Sequence, residues 1–109
     1  TYSRVLGRFV REAGSLSLMD ALSKMTLAPA QRLESRAPMM KNKGRIRVGA
    51  DADLVVFDDR RVIDRSTYQD PAKPPEGIRH VLVHGVPVVS DGHLQDGVTP
   101  GRAVRAAVG

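Results

Sequence analysis

The stretch "GRIRVGADADLVVFDD", residues 44–59, holds the question on which the fold turns. Leu54, Val55, Val56 and Phe57 stand in a row between acidic turns. A strand with one wet face alternates apolar and polar residues; an unbroken apolar run of this length fits a strand covered on both sides. Burying each such side chain is worth about 1.5–3 kcal/mol, against the roughly 5–15 kcal/mol by which a whole domain is stable. Just upstream, Ile46 and Val48 alternate with Arg45 and Arg47, as in a half-exposed strand, and "GADAD" makes a tight turn between the two. What covers both faces of residues 54–57 is the question.

Working back from there, "SRAPMMKNKG" is basic and broken by proline, and before it the texture is helical. Tyr2, Val5, Leu6, Phe9, Val10 and Ala13 recur at a spacing that places them on one helical face. Arg4, Arg8 and Arg11 form the opposite stripe, and Gly14 suits a left-handed terminator. Ser17 reads as the N-cap of a second helix, with Asp20 three residues on and Leu18, Ala21, Leu22 and Met25 along one side. Pro29 fits the first turn of a short third helix ending about Leu33. These three helices are the only material in the chain able to cover one face of residues 54–57. No second layer follows.

Downstream, "RRVIDRSTYQDPAKPPEG" is irregular, because Pro71, Pro74 and Pro75 cannot donate to a ladder. "IRHVLVHGVPVV" is two β-branched runs joined at His84-Gly85, a hairpin signal in which His takes a place more often filled by Asn or Asp. The remainder, "QDGVTPGRAVRAAVG", reads as turn-rich surface chain. The composition breaks near residue 34. A helical part is followed by a β part of about four short strands, a set marginal on its own.

At 109 residues, 41% hydrophobic and 27% charged, the chain is globular in composition. Aromatics are only 4%, so a core must rest on Val, Leu, Ile and Met. The absence of cysteine excludes disulfides, thiolate metal sites and cysteine nucleophiles. No apolar run approaches the roughly 20 residues of a membrane span, and no signal-peptide core is visible, so a cytoplasmic setting is expected. The formal charge is +5, from 17 Lys and Arg against 12 Asp and Glu, which raises nucleic acid as a partner. The charges are scattered, and no aromatics interleave with the arginine stripe.

Candidate chemistry is sparse. His80 and His84 share strand parity and a metal pair is conceivable, but Leu82 lies between them and His84 falls in the turn; His93 stands apart. Asp51, Asp53, Asp58 and Asp59 could act as paired carboxylates, yet each pair coincides with a turn, where Asp bonds nearby backbone N–H groups. The stripe of Arg4, Arg8 and Arg11 reads as a solvated face before it reads as a phosphate grip. Phosphate loops and nucleophile elbows are absent.

The order "TYSRVLGRFVREAGSLSLMDALSKMTLAPAQRL", "GRIRVGADADLVVFD", "VIDRSTYQDP", "GIRHVLVHGVPVV" and "PGRAVR" nevertheless resembles the C-terminal end of the amidohydrolase superfamily. The narrower motifs are similar to those of its N-acyl-D-amino-acid deacylase (D-aminoacylase) branch. The resemblance implies an α+β fragment. Residues 1–34 would be the terminal helices of a (β/α)8 barrel, and residues 44–109 the C-terminal half of a small composite β-sandwich. The other half of that sandwich, from an upstream segment, would supply the missing cover for Leu54–Phe57.

The same resemblance implies a zinc-dependent parent that hydrolyses an N-acyl-D-amino acid to a carboxylate and a D-amino acid. In such enzymes a divalent metal acidifies its water and polarises the amide carbonyl, and an Asp moves the proton to the leaving amine. The ligands and that Asp are expected upstream of Thr1. No catalytic, metal-binding or substrate-binding residue is therefore assigned in this chain, and none of its own residues is expected to hold a cofactor. Tyr2 and Arg4 lie nearest the site in sequence, without a role. The expected partner is the rest of the parent chain, with self-association through an open sheet as a further contact. Membrane and nucleic-acid partners are not expected. The 109 residues alone are expected to be inert, and the first residue, Thr1, is in keeping with a piece of a longer protein. The alternative is a stand-alone basic module binding nucleic acid or an acidic partner.

Overall fold

The computed structural model describes residues 1–108. Helix α1, Tyr2–Arg4, runs without a break into a π-helix, Val5–Glu12. Its wider turns are visible in the bond from Ala13 N–H to the Arg8 carbonyl, five residues back, at 2.8 Å. Gly14 follows at φ +63°, the left-handed terminator expected of it. Ser17 caps α2, Leu18–Met25, by accepting the Asp20 N–H at 3.2 Å. Helix α3, Leu27–Leu33, carries Pro29 in its first turn, and a 3-10 helix, Pro38–Asn42, ends the helical part.

Four antiparallel strands then form one sheet in the order β1-β2-β3-β4: β1 Leu54–Phe57, β2 Ile78–Val83, β3 Val86–Ser90 and β4 His93–Leu94. Cross-strand rows explain the apolar run. Val55, Val81, Val89 and Leu94 line up across all four strands, and Leu54, Leu82 and Pro87 form the next row, on the opposite face. Pro87 is tolerated because the register shifts beside it.

The β2–β3 hairpin turns at His84 and Gly85, φ +54° and +77°, both left-handed as a two-residue hairpin turn demands. The His is held there from outside the hairpin. Asp53 Oδ1 accepts the His84 N–H at 2.9 Å and the Ala52 carbonyl accepts the Gly85 N–H at 2.9 Å. A second left-handed pair, Asp91 and Gly92, turns β3 into β4.

Packing is concentrated where the helices meet the chain just after β1. Leu6, Ala21 and Val62 form the buried cluster, ringed by Val5, Val10, Leu16, Leu18, Leu22, Met25, Phe57 and Ile78. Val62 is the one large side chain fully buried among the described residues. It fits because two glycines let backbone approach it. A Cβ on Gly7 would lie 2.5 Å from the Val62 carbonyl oxygen, and one on Gly77, itself at φ +82°, would collide with the Val62 backbone.

Two expectations fail. The helices do not lie over a face of the sheet; their cluster reaches it at Phe57 and Ile78, while Leu54, Val55 and Val56 remain 36%, 53% and 48% exposed. Nor is Arg45–Val48 a strand. Ile46 and Val48 are 90% and 104% exposed, and the Arg45 and Arg47 side chains bond back to the Lys43 and Lys41 carbonyls. Alternation alone does not make a strand; a ladder partner must satisfy its backbone. Residues 101–108 are exposed, and the Ala107 N–H bonds the Arg36 carbonyl at 2.9 Å. Among the described residues no helix is long and apolar enough to cross a membrane.

Candidate functional site

A concavity lies where the start of α1 meets the loop after Val62. Thr1 and Arg4 form one wall, and Asp64 with the 66–71 segment, Tyr68 included, forms the other, around an open cleft of about 630 Å³. Its fixed point is an ion pair: Arg4 Nε donates to Asp64 Oδ2 at 2.9 Å, and Nη2 lies 2.7 Å from the same oxygen. That hydrogen bond holds the Asp64 carboxyl below its usual range and raises the guanidinium. The loop is closed behind the cleft by paired backbone bonds between Ile63 and Glu76 and by an Arg65–Glu76 ion pair at 2.8 Å. Tyr68 itself is fully exposed.

Chemically the cleft offers hydroxyls, one amide and a charge pair that neutralises itself. A hydroxyl becomes a nucleophile beside a base, and no histidine lines this cleft. The arrangement positions backbone; it does not activate a reacting group.

Further along the same seam, Arg11 Nη1 donates to the Asp59 and Val62 carbonyls at 3.2 and 2.7 Å. The arginine stripe is solvated at Arg4 and Arg8, as expected of it, and half-buried at Arg11. Arg4 and Arg11, seven residues apart, straddle Gly7 and also tie the first helix to residues 59–64. These contacts were invisible in local patterning.

The acidic residues behave as turn formers. Asp58 Oδ1 accepts the Arg60 N–H at 2.9 Å, and Asp51 and Asp53 share Lys43. Asp53 is held below the usual carboxylate range, first by its bond to Lys43 and next by the His84 N–H; the same contact raises Lys43. The histidines do not meet. His80 Nδ1 accepts the Asp91 N–H at 3.2 Å, His84 sits in the hairpin turn and His93 is exposed in β4. Among the described residues no three His, Cys, Asp or Glu side chains converge as a divalent metal would require. The residues present do not fit the zinc that the resemblance implies for the parent, so no step is derived through it here.

The fold and its motifs coincide with a known class. Residues 1–89 match the amidohydrolase family, and the chain belongs to it. Within that family it is 48% identical, over 88 residues, to the N-acyl-D-glutamate deacylase of Alcaligenes xylosoxydans xylosoxydans, covering 81% of this chain and 17% of that one. A D-aminoacylase whose structure was studied for its binuclear metal center superposes with a TM-score of 0.86 at 34% identity, over 96% of this chain and 21% of that one. The N-acyl-D-glutamate deacylase of Bordetella bronchiseptica, solved with zinc and a phosphonate inhibitor, superposes with a TM-score of 0.79 at 39% identity, over 95% and 20%. The chain therefore spans about a fifth of the length of the relatives it matches.

Proposed function

We propose that these 109 residues are the C-terminal structural portion of a metal-dependent amidohydrolase that hydrolyses N-acyl-D-amino acids. In this reading residues 1–34 are the last helices on a (β/α)8 barrel, and residues 44–109 are half of a composite β-sandwich. The rest of the parent chain is their partner. The observation that carries the reading is the sheet itself. Val55–Val81–Val89–Leu94 and Leu54–Leu82–Pro87 are apolar rows on opposite faces, and Leu54–Val56 and Leu94 stay 36% or more exposed. A length one fifth that of the relatives supports a cover supplied by polypeptide outside this chain.

What this portion contributes is position. The Val62 cluster, with Arg4 on Asp64 and Arg11 on Val62, fixes the sheet to the helices and so to the barrel. The divalent metal, its ligands and the Asp that moves the proton lie upstream, and the chemistry supplied there is activation of water and polarisation of the amide carbonyl.

The test pairs the parent with the piece. The full-length protein, loaded with zinc, is expected to release amino acid from N-acetyl-D-glutamate or another N-acetyl-D-amino acid but not from the L-enantiomer, and to lose the activity to a chelator. The 109-residue chain is expected to release none under the same conditions. Hydrolysis by the isolated chain, or a zinc-loaded parent indifferent to every N-acyl-D-amino acid, overturns the proposal.

A further inference from the structure

We draw no further inference here: the strongest candidate, the open cleft between the start of α1 and the 64–71 loop, belongs to the site already described, and nothing in the structure shows what fills it.

Discussion

The seam around Val62 and the sheet from β1 to β4 use the same kinds of residue to opposite effect. At the seam, Leu6, Ala21 and Val62 are buried by their own chain, and two glycines bring backbone into direct contact with Val62. In the sheet, Val55, Val56 and Leu94 are as apolar as anything at the seam, yet they stay 53%, 48% and 73% exposed. The residue types are the same in the two regions; what differs is that this chain covers the one and leaves the other open. A side chain gains its transfer free energy only when something displaces water from it. The seam is covered, and the sheet is open to solvent.

Substitutions at the seam give the largest effects. Gly77→Ala places a methyl group into the Val62 backbone from a left-handed φ of +82°, and is expected to cost about 3 kcal/mol or more by combined strain and clash. Urea unfolding followed by far-UV circular dichroism would measure it, and a shift under 0.5 kcal/mol would show that the seam yields. Val62→Ala comes next. It removes two methyl groups from a fully buried site, and about 2 kcal/mol of lost transfer and cavity energy is expected in the same experiment.

At the end of the sheet away from Phe57 and Ile78 lies the clamp of Lys43 on Asp51 and Asp53, with Asp53 holding the His84 turn. Its effect is smaller, because the groups are partly exposed. The folded Asp53 carboxyl titrates below its usual value, so the unfolded chain takes up its proton first. The stabilisation is therefore present above about pH 4 and disappears as pH falls through the lowered folded value. Lys43 is raised, so its share is present below its ordinary value and is lost as pH climbs through the raised one. Asp53→Asn should flatten the acid limb of a plot of unfolding free energy against pH while leaving the neutral plateau nearly parallel. An unchanged acid limb would remove Asp53 from the account.

The smallest effect separates the two regions most sharply. Val56→Thr on the 48%-exposed strand is expected to change the stability of this chain by less than about 0.5 kcal/mol. In the full-length parent the same substitution should cost about 1–3 kcal/mol, because a hydroxyl would then be buried without a partner. Equal costs in the two proteins would mean that nothing covers the sheet in the parent either.

Local rules account for much of what was legible. Gly14 and Ser17 end and begin helices because a left-handed residue and a cap satisfy backbone groups within a few positions. The His84-Gly85 hairpin and the proline-broken stretch before it were readable for the same reason. The Asp91-Gly92 turn is equally local, a hairpin signal that leads into β4. Along the seam, neither the pairing of Arg4 with Asp64 nor that of Arg11 with the Val62 carbonyl could be read, since 60 and 51 residues separate the partners.

By itself, the order of residues determined the helices, the apolar strand and the family to which the motifs belong. Each of these depends on neighbours along the chain or on spacings carried by the sequence. Only the tertiary structure decided that the helices dock on Val62 and the Phe57–Ile78 end of the sheet, and that Ile46 and Val48 lie exposed outside any strand ladder. Those outcomes depend on which distant backbone can approach to contact distance. Glycine at positions 7 and 77 permits that approach, and no periodicity announces it.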